Sequence, residues 1–434
     1  MSESMHPTVA ARAAGHVEAA LPESLTISLG ELAGAVKEGL LAFSVGVGLE
    51  VLQLLMEEDV TALAGPKGRH DPARVAVRHG HEDGQLTLGG RRVPVRRPRV
   101  RSANRAGELP VPTYAQFATT ELLSQMALER MLAGLSTRQY RAGLEPVGQA
   151  VDRQARSTSK SAVSRRFVER TKTALAELLA ADLSGLDPVV LLVDGVSFGE
   201  HLCVVALVID ADGRKHPVSL REGSTENATL VTDLLADLCE RGLDTTRPLL
   251  AVLDGAKALA KGVRQVFDQP LIQRCQVHKL RNVLDYLPEG ERSWVAGVLH
   301  RAWREPDAAK AERDLEALAA KLDRRHPGAA ASVREGLAET LTVTRLGLST
   351  SGTLARTLRT TNPVESMLEI CRAHAGNVKR WRDGQMAMRW CAAGMLEAKG
   401  QFRRVKGYRE IPILVAAMDR HFNPQMLAGT EEVA

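Results

Sequence analysis

Three carboxylates stand out by their positions. Val189–Val193 is a run of apolar, mostly β-branched residues that reads as a buried strand, and it ends on Asp194-Gly195. Pro248-Leu-Leu-Ala-Val-Leu253 repeats the design and ends on Asp254-Gly255. A third acid, Glu365, lies in Thr361-Asn-Pro-Val-Glu-Ser-Met367, at the start of an expected helix. Two strand-end aspartates and a helix-borne glutamate are the set a nuclease or polynucleotidyl transferase needs to hold two divalent ions. Mg2+ takes oxygen ligands and keeps waters, so a few carboxylates suffice, and Mn2+ can substitute. Crowded carboxylates repel one another, which raises their pKa values and destabilises the empty site. Each acid alone has an ordinary explanation, because Asp-Gly is a common turn and acids favour the first turn of a helix. The inference rests on the three together.

The elements between them can position such a site. After Val189–Val193 come a second strand, His201–Asp210, a turn at Asp212-Gly213 and a third strand near His216–Leu220. Ser224 or Thr225 is expected to cap a helix with an apolar face of Leu230, Leu234, Leu235 and Leu238, stopped by Gly242. Leu249–Leu253 is the fourth strand. A helix with Leu259, Val263 and Val266 leads to a fifth at Leu271–Gln273. Three strands joined by tight turns, then helix, strand, helix, strand, predict an α/β fold whose mixed sheet is ribonuclease H-like. In that order the first and fourth strands are neighbours, which brings Asp194 and Asp254 together. Glu365 follows far downstream, so residues 289–358, with helical spacing at Val295, Val298, Leu299, Ala302 and Trp303 and again at Leu315, Leu318 and Leu322, read as a helical insertion. The core is then 187–288 plus 359–400, with 401–434 a tail of mixed basic and apolar residues.

The 434 residues allow several domains, and a formal charge of +5 with pI near 9.0 favours a polyanionic partner. Five scattered cysteines and no secretory signal indicate a reducing, intracellular compartment. The most lipid-like window, Leu40–Leu55, is interrupted by Ser44, Gly46, Gly48 and Glu50, which argues against a membrane span. Residues 1–28 lack periodicity and are expected to be a disordered lead-in, and 29–64 to be helical. Residues 85–101 alternate about Gly89-Gly90 as a small hairpin, whose second strand carries Arg96, Arg97, Arg99 and Arg101. Such a strand is either an edge protected by charge or a strip that contacts phosphates. Leu135–Tyr140 and Ser157–Phe167 suggest two hydroxyl-capped helices of a helix-turn-helix within about 135–175, with Lys160, Arg165 and Arg166 on the recognition helix; an ordinary basic linker is the alternative. Residues 29–181 thus form a mainly helical DNA-binding region with a small basic β-hairpin.

Four segments, Asp194-Gly-Val, Asp254-Gly-Ala-Lys-Ala-Leu, Gln273-Arg-Cys-Gln-Val-His-Lys-Leu-Arg-Asn282 and Thr361-Asn-Pro-Val-Glu-Ser, resemble in content and order the Mutator-type transposases of bacterial insertion sequences. The resemblance runs from about Arg74 to the Phe402–Tyr408 segment. It implies a DDE transposase whose acids are Asp194, Asp254 and Glu365, with Arg372 as a basic residue two turns after the glutamate. It also implies binding of double-stranded DNA at terminal inverted repeats and in the target, strand cleavage and transfer through a copy-out circular intermediate, and a cytoplasmic, nucleoid-associated bacterial protein. Bringing two ends together implies at least a homodimer. A ribonuclease H-like nuclease or a domesticated DNA-binding protein that no longer cuts are the rival readings.

Cys275-x-x-His278 follows the fifth strand, and Cys371-x-x-His374 repeats the spacing after Glu365. Together they could form a Cys2His2 zinc site. The favoured expectation is support of the active site, with His278 near the acids and touching the scissile phosphate, and Cys275 a small buried residue.

Overall fold

The structure, a computed structural model, describes residues 39–69, 71, 73–104, 106–225 and 227–423. The expected lead-in at 1–28, residues 29–38 of the expected helical stretch and residues 424–434 of the tail lie outside the described residues. The chain divides into two compact units, one of residues up to Ala127 with Thr137–Val163, the other of Leu128–Ser136 with Ser164 onward.

In the first unit, β1 (Ala76–Leu88) and β2 (Arg91–Ser102) form the antiparallel hairpin anticipated from the alternation. Gly89 and Gly90 close it with φ of +51° and +80°, the left-handed pair that a two-residue hairpin turn requires. β1 begins well before Gln85, and a two-residue β3 (Glu108–Leu109) joins the other side of β2, too short for any sequence signal. Leu40–Ala64 is one continuous helix of 25 residues, long and apolar enough in composition to cross a bilayer. Its C-terminal half instead packs Met56, Val60 and Ala64 against Ala76, Val100 and Val111.

The first of the two expected recognition-region helices is absent. Residues 135–148 run in turns and extended chain after Gly134, at φ +94°, ends the helix Glu121–Leu132. A short helix at Gln149–Gln154 precedes Lys160–Ala180. The hydroxyl cap of the latter is Ser159, whose Oγ accepts from Ala162 N at 3.3 Å.

In the second unit a five-stranded sheet has the order β6-β5-β4-β7-β8. Its strands are β4 (Pro188–Phe198), β5 (His201–Asp210), β6 (Lys215–Gly223), β7 (Leu249–Leu253) and β8 (Pro270–Arg274). The first three are antiparallel neighbours, while β7 and β8 run parallel to β4. Leu191 and Val193 face a core built with Val231, Leu234, Leu235 and Leu238 of the helix Ala228–Glu240 and Leu259 and Val263 of Lys257–Val266. The intervening Val190 and Leu192 are equally buried, so the strand is apolar on both sides, as expected for a covered sheet. Helices Asn362–Ala375 and Gly384–Gln401 pack on the β4–β6 half. The cap of Ala228–Glu240 is Asn227, whose side chain accepts from Leu230 N at 2.9 Å, rather than Ser224 or Thr225, because β6 extends to Gly223 and delays the helix.

Helices at Glu289–Arg304, Ala308–Asp323 and Pro327–Arg334 occupy the stretch before Glu365. Val295, Leu299, Ala302 and Trp303 join Leu315, Leu318 and Leu322 in a core of their own. A buried polar seam ties this block to β8 and the helix after it. Gln273 and Gln276 both donate to Thr340 O, at 3.0 and 2.9 Å, and Arg274 donates to Glu335 O at 2.8 Å. Lys279, only 1 % exposed, donates to the carbonyls of Ser332 and Glu335 at the end of Pro327–Arg334, where a cation suits the helix dipole. Burial, with Arg274 beside it, pushes the Lys279 ammonium down to about 8.

Candidate active site

The site begins with strand pairing. β4 and β7 are in parallel register from Val190↔Leu250 to Val193↔Leu253. The next residue on each chain is therefore Asp194 and Asp254, one interstrand spacing of about 4.8 Å apart at the backbone. Asp254 lies just past the end of β7, as expected. Asp194 does not end its strand: β4 continues to Phe198 through pairing with β5, and Asp194 sits opposite Val205. What ends there is the pairing with β7, whose last paired residue is Leu253.

Local hydrogen bonds fix both aspartates. Asp194 Oδ1 accepts from Gly195 N at 2.8 Å, and Asp254 Oδ1 from Ala256 N at 2.8 Å, an Asx turn that launches the helix Lys257–Val266. Gly255, inside that turn, has φ +109°, and a Cβ there would collide with the Arg274 guanidinium, so both conformation and space demand glycine. Glu365 stands in the first turn of Asn362–Ala375, with Pro363 at its tolerated N-terminal place.

One buried hydroxyl links this helix to the strand end. Thr361, with no exposed surface, donates to Glu365 Oε1 and lies 3.4 Å from Cys275 Sγ and 3.4 Å from His278 Nδ1. His278 Nδ1 is 3.6 Å from Glu365 Oε1. Burial pushes the Asp194 carboxyl up to about 6; Asp254 and Glu365 push the same way, while the Gly195 N–H and His278 oppose them. The hydrogen bond with Cys275 raises His278. Burial pushes the Cys275 thiol up, but bonds to His278 and Thr361 outweigh it and leave the thiol below its ordinary range. Asp254 and Glu365 thus act on Asp194 electrostatically, and His278 opposes them.

Cys275, His278 and Glu365 have ligand atoms within 4.8 Å of one another, and the Thr361 hydroxyl stands among them. The second Cys-x-x-His does not join them. Cys371 is buried with its Sγ 3.6 Å from Cys391 O, and His374 Nδ1 is 2.6 Å from Leu132 O. The four residues do not converge on one centre, so the structure gives no Cys2His2 site.

The sequence-derived cations fall into distinct settings. Arg372 is exposed on the same helix as Glu365, seven residues on and hence on the same face. Arg97 and Arg99 both pair with Glu82 and Glu108, and Arg97 also lies 4.6 Å over the Tyr114 ring. Arg96, Arg101, Lys160 and Arg165 are exposed, and Arg166 is half-buried. Sequence reasoning quoted Thr361 in the motif before Glu365 but gave its side chain no role, because its approaches to His278 and Cys275 lie 83 and 86 residues away in the chain. It also missed the cationic loop 379–382, although three cations around a tryptophan were visible in the sequence.

Residues 35–404 match the family described as Transposase, Mutator family. The chain is 28 % identical over 372 residues to the transposase for insertion sequence element ISRM5 of Rhizobium meliloti, a stretch covering 83 % of this chain and 87 % of that relative. It is 35 % identical over 199 residues to the transposase for insertion sequence element IS6120 of Mycolicibacterium smegmatis, covering 44 % of this chain and 60 % of the relative. A shorter stretch of 87 residues is 34 % identical to the transposase for IS256 in transposon Tn4001 of Staphylococcus aureus, or 20 % of this chain and 22 % of that one. With a family match running through both units and all three acids, the chain belongs to the Mutator family of transposases.

Proposed function

We propose that this chain is a DDE transposase that binds the terminal inverted repeats of an insertion sequence and carries out metal-dependent DNA cleavage and strand transfer, by a copy-out route through a circular intermediate. The observation that carries the reading is the parallel β4–β7 register, which sets Asp194 beside Asp254, together with the electrostatic reach of Glu365 and Asp254 onto Asp194. The strand order β6-β5-β4-β7-β8 supports a ribonuclease H-like core of 187–288 and 359–400 with 289–358 as its insertion. The remaining segments keep the roles of an N-terminal DNA-binding region at 29–181 and a C-terminal tail from 401.

The donor set suits hard divalent cations: three partly buried carboxylates, for which Mg2+ or Mn2+ is the natural complement. Asp194, Asp254 and Glu365 would hold two such ions, which when bound supply neutralisation of the phosphodiester undergoing displacement. Thr361 orients the Glu365 carboxylate. His278 and the exposed Arg372 offer cationic groups to the scissile phosphate and its neighbours. In the N-terminal region, Lys160–Ala180 is the recognition helix, with Lys160, Arg165 and Arg166 toward the repeats, and the helix before it in sequence is Gln149–Gln154 rather than 135–140. Arg96 and Arg101 are the hairpin cations open to phosphate. Action on two ends calls for a homodimer or larger assembly on double-stranded DNA at the nucleoid.

The test uses oligonucleotide ends carrying the element's repeats. Asp194→Asn, Asp254→Asn and Glu365→Gln should each reduce cleavage in Mg2+ to background while repeat binding in EDTA stays at the wild-type level. Near-normal strand transfer by any one variant removes that residue from the site. Wild-type protein that binds repeats and never cuts them would favour the rival non-cutting DNA-binding protein.

A further inference from the structure

After the Glu365 helix ends, the chain runs Asn377-Val-Lys379-Arg380-Trp381-Arg382-Asp383 before the helix Gly384–Gln401 begins. Lys379, Arg380 and Arg382 are exposed, and among the described residues none has an ion-pair partner. A run of exposed cations is usually a solvated surface, with long side chains free to sample water. Here the backbone that carries them is pinned at several points. Trp381 packs on Phe198 at 5.0 Å between ring centres and on Trp390 at 6.3 Å, and Trp390 in turn meets Phe167 at 4.5 Å. The protein has only 4 tryptophans, so placing two of them in one stack to fix a loop is a large commitment. Gly199, at φ +62°, turns so close that a Cβ would fall 2.9 Å from Trp381 Cδ1. Asp383 caps the next helix through Met386 N at 2.7 Å, and Gly384 is pressed on Glu222 of β6.

The anchor of this loop is the tip of the strand that carries Asp194. Phe198 is four residues beyond it on β4, about 13 Å at strand rise. That span is roughly four base-pair steps of duplex. Arg372 lies between Glu365 and the loop in sequence, about 10 Å along the helix from the glutamate.

We propose that Lys379, Arg380 and Arg382, held by Trp381 on the tip of β4–β5, form a preorganised binding site for the phosphate backbone of the DNA a few nucleotides from the bond being cut. This rests on the reading of Asp194, Asp254 and Glu365 as the cutting centre. Immobilising the loop in advance removes part of the ordering cost that a free lysine or arginine would bear on binding. The cations contribute affinity and register rather than sequence choice, because phosphates carry no base identity.

The experiment measures DNA binding by the full chain in EDTA, with the terminal repeat as probe, across a salt series. Replacing all three cations, K379A/R380A/R382A, should flatten the slope of log affinity against log salt by about 3 units, near 0.9 for each phosphate that is no longer neutralised. Separately, R380C carrying a photoactivatable aryl azide should cross-link to DNA at positions flanking the cleavage point. An unchanged slope in a folded triple variant, or cross-links confined to DNA distant from that point, overturns the proposal. Wild-type protein that never cuts while the triple variant still loses slope would refute the cutting centre and leave this site as a DNA-binding surface. Normal cutting with an unchanged slope would do the reverse.

Discussion

In the hairpin of the first unit, Arg97 and Arg99 each meet Glu82 and Glu108, with Arg99 at 2.7 Å from Glu108 and 3.2 Å from Glu82. The Arg99 bond holds Glu108 below the usual carboxylate range. In the second unit, Lys379, Arg380 and Arg382 have no ion-pair partner among the described residues, while the Asp194 carboxyl is pushed up first by burial and then by Asp254 and Glu365. The hairpin reads as a basic strip in the sequence, and the loop carries three cations in four residues. The difference teaches that formal charge is a poor guide to available charge. Where the fold supplies counter-charges, cations hold strands together; where it withholds them and fixes the backbone, a ligand of opposite sign can complete the pairing. By this criterion the hairpin is half structural, with Arg96 and Arg101 left open, and the loop is open throughout.

The sharpest probe of that contrast is stability without metal. Burial pushes the Asp194 carboxyl from its ordinary 3.8 up to about 6. A raised folded value means the native state binds the proton more tightly, so its contribution is favourable below about pH 4 and is lost as pH rises through 6. The ionised form therefore costs about 3 kcal/mol at pH 8. In EDTA, Asp194→Asn should be more stable than wild type by an amount approaching this at pH 8 and about half of it at pH 5, measured by urea unfolding. Equal effects at the two pH values would mean that the acids are already compensated, like the hairpin.

Thr361→Val should come next, with a roughly tenfold rise in the Mg2+ concentration for half-maximal cleavage, equivalent to about 1.4 kcal/mol. Thr361→Ser should restore it, because the hydroxyl rather than the methyl addresses Glu365. A Ser variant as poor as Val would assign Thr361 to packing. In the hairpin, Glu82→Gln with Glu108→Gln should free Arg97 and Arg99 and steepen the salt dependence of DNA binding by up to about 2 units. Arg97→Ala with Arg99→Ala should change that slope little. If the arginine pair alone flattened it, these residues would bind phosphate despite their partners. Smallest of all, Arg96→Ala or Arg101→Ala should flatten the slope by about 1 unit each and shift stability by less than about 0.5 kcal/mol.

Much of the sheet was legible because β4, β5 and β7 are continuous apolar runs, and their order alone made the strands of Asp194 and Asp254 neighbours. The position of Asp194 within β4 was not legible. Gly195-Val-Ser-Phe198 lacks a strong strand signal and is held in place by its partner β5. The cap at Asn227 was hidden because several candidate polar residues stood close together, and sheet length, a tertiary property, chose among them. Leu135–Tyr140 has helix-compatible residues, yet Gly134 and the turns that follow override them. The part played by Thr361 was hidden for a different reason: Cys275 and His278 lie more than 80 residues before it in the chain.

That separation carries a consequence for the newly made chain. The seam from Gln273, Gln276 and Lys279 to Thr340 and Ser332 closes over 53 to 67 residues, and the Thr361–His278 approach over 83. Closing loops of this length is entropically costly until many interactions form together, and such closures are late events in folding. The first two acids can emerge from a ribosome and settle into their sheet while the third is still being synthesised. A nascent chain therefore brings Glu365 to the strands that carry Asp194 and Asp254 only after the helix Asn362–Ala375 has been made and docked.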